Sequence, residues 1–133
     1  MTVAQQQTLD QQRARHAWTA VQDVASRSED FKKKYGSLAR RVPMLILTNG
    51  LGPTLAFLRS KGKNDPHDAH TVLAGHLSTW VLSQIASGAQ NQTLLDWVLN
   101  HDSHDYRRAT AEALAYLVWL KRFAEAELPT EED

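Results

Sequence analysis

The chain has 133 residues, enough for one domain that buries roughly two thirds of the surface its unfolded chain exposes. It contains no cysteine, which excludes structural disulfides, thiolate zinc sites and a cysteine nucleophile and agrees with a reducing, cytoplasmic location. Fifteen Lys and Arg balance fifteen Asp and Glu, but five of the acids lie in the last nine residues, so residues 1–124 carry a net charge of +5.

Apolar residues recur every three to four positions along most of the chain, and no segment of strand length alternates apolar and polar residues. The sequence therefore predicts an all-α fold, a compact single-domain bundle of six or seven helices. The predicted helices are, in chain order, residues 2 or 8 to 26, 31–41, 42–48, 53–60, 70–86, 93–99 and a long last helix capped by Asp102 or Ser103. The domain spans residues 1–128, and residues 129–133 form an acidic tail.

Proline and glycine set several of these boundaries. Pro43 is expected in the first turn of a helix, because the first N–H groups of a helix have no internal partner and proline loses no hydrogen bond there. Asn49 and Gly50 predict a left-handed stop, and Pro53 restarts the chain as a helix. Residues 61–66 predict a polar loop.

Two pairs of histidines are the candidates for chemistry. His67 and His70, like His101 and His104, are three residues apart, so a helix would bring the imidazoles to one side, as a metal pair requires. Both pairs lie at predicted helix starts without a third ligand in a recognisable order, so no metal and no cofactor is predicted. His101 and Asp102 together leave a metal-dependent phosphohydrolase as a minor alternative. The sequence has no glycine-flanked serine nucleophile and no phosphate-binding loop, which favours a protein that is not an enzyme.

Basic residues cluster near the ends of the apolar helices, where several can contact a nucleic-acid backbone without reading its sequence. The candidate RNA-binding residues are Lys34, Arg40, Arg41, Arg59, Lys61, Lys63, Arg107 and Arg108. The four tryptophans can stack on bases, but each lies in or beside an apolar stripe, so core or subunit-interface packing is favoured. No signal for secretion is evident, and the longest apolar stretch, residues 44–47, is too short to span a membrane.

Two blocks of the sequence, residues 41–58 and 106–126, resemble the small all-helical subunit of the type III-B CRISPR RNA-guided effector complex, the Cmr-type complex. The resemblance covers nearly the whole chain and lies in residues 13–14, Pro43, 49–51, 54–58, Lys61, 106–107, Thr110, 112–114 and 119–123. It implies a non-catalytic building block of antiviral defence. Copies of such a subunit stack beside the backbone subunits that hold the guide RNA, and together they enclose the guide and target strands.

The partners expected on this basis are other subunits of the complex, copies of the same chain, and the backbone of guide and target RNA. Target cleavage would then come from the backbone subunits. A helical protein-interaction module with no nucleic-acid role is the alternative from another class. Salt dependence separates the two, because phosphate contacts weaken steeply as salt rises, whereas apolar docking does not.

Overall fold

The computed structural model describes residues 7–86 and 91–131, and these residues form six α-helices and no strand. The all-α prediction is confirmed. The helices are α1 (Leu9–Ala25), α2 (Glu29–Asn49), α3 (Leu51–Gly62), α4 (Ala69–Ile85), α5 (Leu94–Leu99) and α6 (Ser103–Glu127). The longest helix, α6, packs on α1, α2 and α4, and α3 and α5 pack beside α4. Within the described ranges, no helix is both long and apolar enough to cross a membrane.

Side-chain caps begin five of the helices. The Thr8 hydroxyl accepts the N–H of Gln11 at 3.1 Å, and the Gln11 side chain accepts the N–H of Thr8 at 2.8 Å, which satisfies two N–H groups that the helix leaves unpaired. The other capping residues are Ser28, Asp68, Thr93 and Asp102. Of the two caps proposed for the last helix, Asp102 is therefore the one that caps it.

The structure merges two predicted helices into one. The sequence predicts separate helices over residues 31–41 and 42–48, but α2 continues through Pro43, which therefore does not start a helix. A proline inside a helix costs about 3 kcal/mol, whereas each large apolar side chain stabilises the fold by about 1.5–3 kcal/mol when buried. Tyr35, Val42 and Ile46 are buried on one side of α2, so keeping this face continuous outweighs the lost hydrogen bond.

Gly50 makes the corner between α2 and α3. Its φ of 95° lies in the left-handed region that favours glycine, and it caps both the end of α2 and the start of α3. The predicted stop at Asn49 and Gly50 is confirmed. The N–H of Gly52 donates to the hydroxyl of Tyr106 at 2.7 Å, so the first turn of α6 is fixed against this corner.

The polar loop predicted for residues 61–66 is shorter in the structure, because α3 extends to Gly62. Gly62 is buried against Thr71 of α4, and a β-carbon at this position would overlap the Thr71 side chain. The helix then ends on two left-handed residues, Lys63 and Asn64, with φ of 52° and 60°. α3 therefore ends two residues beyond the predicted boundary at residue 60, where it packs closely against α4.

Residues 128–131, which we call the strap, follow α6 and lie across α2. Leu128 and Thr130 are buried, and the N–H of Glu131 donates to the Ser37 hydroxyl at 2.8 Å. The carbonyl of Pro129 approaches α2 at Gly36, where a β-carbon would overlap it. At least this part of the predicted acidic tail packs on the helices, while the division of the chain at residue 128 stays a prediction.

Candidate nucleic-acid interface

Lys34 and Arg41 are the predicted RNA-binding residues that share a solvent-exposed side of α2. They are seven residues apart, two helical turns, and both are exposed. The ammonium of Lys34 lies 3.5 Å from a carboxylate oxygen of Asp30. Arg41 has no hydrogen-bond or ion-pair partner within the described residues. Arg40 differs, because its guanidinium donates to the Thr130 hydroxyl of the strap at 3.4 Å.

The three predicted cations of α3 do not share one side. Arg59 and Lys61 are two residues apart, which places them nearly opposite each other around the helix axis. Lys63 lies at the left-handed end of the helix. All three are exposed, and none is paired within the part of the chain that the structure describes.

The two arginines of α6 also differ in their surroundings. The guanidinium of Arg108 lies 3.3 Å from a carboxylate oxygen of Asp105. Arg107 is exposed and has no partner across residues 7–86 and 91–131, and it follows Tyr106, which touches the α2–α3 corner. The eight predicted residues thus occupy several sides of the bundle, and their binding to RNA stays a prediction.

A cavity of about 230 Å³ lies between α3, α4 and α5, and the sequence did not predict it. Leu55 and Leu58 are buried residues of its lining, whereas Arg59 lines it from an exposed position. Gly75 lies opposite on α4, and none of residues 7–86 and 91–131 comes within 4 Å of the place that its β-carbon would occupy. The available signal in the sequence was this glycine inside a predicted helix, where glycine costs about 1 kcal/mol relative to alanine.

A second cleft, between α1 and α4, is lined by two histidines that are bonded to buried tyrosines. His16 Nδ1 lies 2.8 Å from the Tyr116 hydroxyl, and His76 Nδ1 lies 2.8 Å from the Tyr35 hydroxyl. Burial lowers the pKa of His16. Burial, and secondarily the nearby charge of His16, lowers the pKa of His76 to about 4. Both imidazoles are therefore neutral at pH 7 and serve the packing of α1, α2, α4 and α6.

A partly buried ion pair joins α1 to α6. The Arg13 guanidinium donates two hydrogen bonds to the Glu112 carboxylate, at 2.6 and 2.9 Å, and the Trp80 indole N–H donates a third at 2.8 Å. Burial raises the pKa of Glu112, but the bonds from Arg13 and Trp80 outweigh it and hold this pKa below its usual value. A carboxylate saturated in this way is a structural group and is poorly suited to accept a proton from a substrate.

The histidine pairs take part in local structure. His101 stacks on Trp97 with ring centroids 3.9 Å apart, and its Nδ1 lies 2.7 Å from the Trp97 carbonyl oxygen. Asp102 accepts the N–H of Asp105 as the cap of α6. Asp102, His104 and Asp105 could share a metal ion, but they are largely exposed, and exposed acids are common without one. His101 does not belong to that group, which weakens the phosphohydrolase alternative.

In the other pair, His70 is bonded to its own cap residue. The Nδ1 atom of His70 lies 2.8 Å from a carboxylate oxygen of Asp68, which also accepts the backbone N–H of His70. The ring of His70 packs edge-on against Phe57 with centroids 6.1 Å apart. His67 is exposed, and its backbone N–H donates to the Asp65 carboxylate at 2.9 Å. These interactions define the start of α4 and suggest no ligand.

The tryptophans divide into two groups. Trp80 and Trp97 are 6% and 4% exposed and belong to the core, as predicted. Trp18 is 42% exposed and packs edge-on against Phe123 with ring centroids 5.1 Å apart, and Trp119 lies beside the same phenylalanine. This aromatic surface between α1 and α6 is accessible to a partner.

Comparison with known proteins gives consistent matches over nearly the whole chain. A family model described as CRISPR-associated protein (Cas_Cmr5) matches residues 9–127. The CRISPR system Cmr subunit Cmr5 of Thermus thermophilus is 32% identical over 123 residues, which cover 90% of this chain and 95% of that relative. The Cmr subunit Cmr5 of Thermotoga maritima is 29% identical over 133 residues, 100% of this chain and 95% of that one. A crystal structure of a CRISPR-associated Cmr5 family protein from Thermus thermophilus aligns with a TM-score of 0.73 and 27% identity, covering 92% and 99% of the two chains.

Proposed function

The chain belongs to the Cas_Cmr5 family, and from this premise we propose that it is a non-catalytic structural subunit of a CRISPR RNA-guided, RNA-targeting effector complex. In this proposal, copies of the chain stack in a filament beside the guide-holding backbone subunits. The filament lines the channel that encloses guide and target RNA. The observation that carries the proposal is the family match, which extends from the first residue of α1 to the last of α6.

The distribution of charge supports binding to the RNA backbone. Arg41, Lys63 and Arg107 are exposed and without a partner in the described segments, so each can approach a phosphate without first breaking an ion pair. A net charge of +5 over residues 1–124 is modest for a protein that grips nucleic acid alone. Several copies along one strand would add their contributions, so weak binding by each copy suffices.

The proposal that the subunit is not an enzyme is supported by the state of its ionisable groups. The partly buried carboxylate of Glu112 is saturated by hydrogen bonds, and His16 and His76 are bonded to tyrosines. His101 and Asp102 are engaged in stacking and capping. A nucleophile beside a base, or an acid–base pair facing a cavity, is what catalysis would require.

Target-RNA binding by the assembled complex tests the channel assignment. Charge reversal by Arg41→Glu, Lys63→Glu and Arg107→Glu should weaken binding and make its salt dependence shallower, by about one unit of slope for each phosphate that is no longer neutralised. Arg122→Glu is the matched control, because Arg122 is exposed but paired with Glu125 at 2.9 Å. Unchanged affinity of the triple variant between about 50 and 200 mM salt would show that these residues do not line the channel.

A docking role without RNA binding is the second candidate, favoured by exposed apolar side chains on α2. Met44 and Leu47 are 63% and 66% exposed and three residues apart, so they form one patch. Met44→Ser with Leu47→Ser should leave the free chain folded, because neither side chain is buried. Loss of this variant from the purified complex, together with unchanged target-RNA affinity after charge reversal of Arg41, Lys63 and Arg107, would favour this second candidate.

A further inference from the structure

The cavity between α3, α4 and α5 has the form of a small binding site. Its volume of about 230 Å³ lies below the range of about 300–1,000 Å³ typical for drug-sized ligands, so it suits one planar group. Ala74 and Leu95, both half-buried, give it an apolar floor, and the buried Leu55 and Leu58 lie beneath them. Gly75 contributes no side chain, and no described residue lies within 4 Å of its β-position, so this side of the cavity has room for a ligand.

Polar groups without partners surround this apolar floor. Asn64, Thr79 and Gln92 line the cavity from exposed positions, and none of their side chains bonds to a described residue, so each can exchange its water for a ligand. Amides and hydroxyls can both donate and accept, as the edge of a nucleobase requires. Two other hydroxyls of the lining, those of Ser78 and Thr93, already accept hydrogen bonds from backbone N–H groups of α5.

The charge of the lining selects an anion. Arg59 is the charged residue among those that line the cavity in the described part of the chain, and its guanidinium has no partner there. A guanidinium binds phosphate through paired hydrogen bonds. No described residue of the lining is Asp or Glu, so none of them opposes an anionic group.

We propose that this cavity binds one unstacked nucleotide of an RNA strand, with its base on the apolar floor of Ala74 and Leu95 and its phosphate at Arg59. An apolar floor, partnerless amides beside it and one cation at the edge correspond to the base, its polar edge and its phosphate. The inference rests on the proposed function, because it takes RNA to be the ligand. It goes further by assigning a binding surface to the base, where the channel proposal involves the backbone alone.

Nucleotide binding to the full chain, followed by NMR titration, tests the inference. Adenosine 5′-monophosphate should shift the amide signals of Gly75 and its neighbours, and ribose 5-phosphate should bind at least tenfold more weakly. Gly75→Leu places a side chain in the open space and should weaken nucleotide binding at least tenfold without harming the fold, since leucine favours helix over glycine. Arg59→Ala should weaken both ligands. Ala126→Leu, at an exposed position of α6, is the matched control.

Three results would overturn the inference. Equal affinities for ribose 5-phosphate and the nucleotide would show that Arg59 binds the phosphate and that the cavity does not bind the base. An unchanged affinity in Gly75→Leu would place the base outside the cavity. Failure of Gly75→Leu to join the complex, with nucleotide binding intact, would make the cavity a docking site for a protein segment. The channel proposal fails separately, when charge reversal on α2, α3 and α6 leaves target-RNA affinity of the complex unchanged.

Discussion

Glu112 connects three helices through the hydrogen bonds of its side chain. It accepts hydrogen bonds from Arg13 of α1 and Trp80 of α4, while it lies on α6. The side chains of Arg13 and Glu112 are 17% and 11% exposed, so water screens the pair only partly. Removing Glu112 leaves the Arg13 guanidinium only its exposed partner Asp10, at 3.2 Å, and leaves the Trp80 indole N–H without its acceptor where solvation is poor, which costs more than the pair itself contributes.

We therefore expect Glu112→Ala to lower the free energy of unfolding by about 2–4 kcal/mol, measured by urea denaturation at pH 7. Glu125→Ala is the control, because its partner Arg122 is 71% exposed and surface pairs contribute little. That control should change stability by less than about 0.5 kcal/mol. Equal effects of the two substitutions would contradict the structural role of Glu112.

His76 makes the stability of the protein depend on pH. Its pKa is lowered to about 4 in the folded state by burial and by His16, whereas an unfolded histidine has a pKa of about 6.5. Below pH 6.5 the unfolded state thus binds more protons, and stability falls as pH decreases toward 4. The lowered pKa of His16 acts in the same direction.

Between pH 7.5 and pH 5, His76 alone should cost about 2 kcal/mol of unfolding free energy. Denaturation curves at the two pH values measure this loss. His76→Gln retains a polar side chain near the Tyr35 hydroxyl but does not titrate, so its stability should change less over the same interval. An unchanged pH dependence in this variant would show that His76 is not the responsible group.

At the scale of elements, two glycines with opposite surroundings make a matched pair. Gly36 of α2 lies beneath the Pro129 carbonyl of the strap, whereas Gly75 of α4 faces open space. Gly36→Ala should destabilise the protein by about 1–3 kcal/mol, because the added methyl group displaces the strap. Gly75→Ala should stabilise it by about 0.5–1 kcal/mol. Thermal denaturation of the two variants measures these changes. Stability changes of the same sign for both substitutions would contradict the packing of the strap on Gly36.

Pro43 offers a second prediction about α2. Because α2 continues through this proline, one backbone hydrogen bond is missing inside the helix. Pro43→Ala should restore that bond and raise the free energy of unfolding by about 1–2 kcal/mol, measured by urea denaturation. Pro53→Ala, in the first turn of α3, is the control and should change stability little, because that N–H has no helical partner. A loss of stability in Pro43→Ala would contradict the missing hydrogen bond as the main effect of this proline.

At the scale of the whole molecule, one core connects the helices. Leu73, Val81, Leu117 and Leu120 are fully buried in the same cluster. Leu120→Ala should therefore lower the free energy of unfolding by about 2–5 kcal/mol. Far-UV circular dichroism and tryptophan fluorescence should report the same midpoint, because a single core unfolds in one transition. Separate midpoints would indicate two independently folding parts.

The sequence predicted the helical class, five of the helix starts to within about two residues, and the corner at Gly50, since these depend on residues close together in the chain. It also supplied the resemblance that the family match confirms. It was wrong about the break at Pro43. The free-energy cost of a proline arises within its own helix, whereas the burial that offsets this cost comes from packing against α4 and α6.

The features that the sequence could not predict depend on contacts between residues that are far apart in the chain. Glu112 meets Arg13, the strap meets Gly36, and Arg40 of the candidate interface donates to Thr130 of the strap. The cavity of about 230 Å³ likewise needs α3, α4 and α5 in place around Gly75. Composition and periodicity specify which face of each helix is apolar. Which faces meet, and which cations then point together, is decided only when the helices pack, because the free energy of packing belongs to pairs of surfaces and not to one segment.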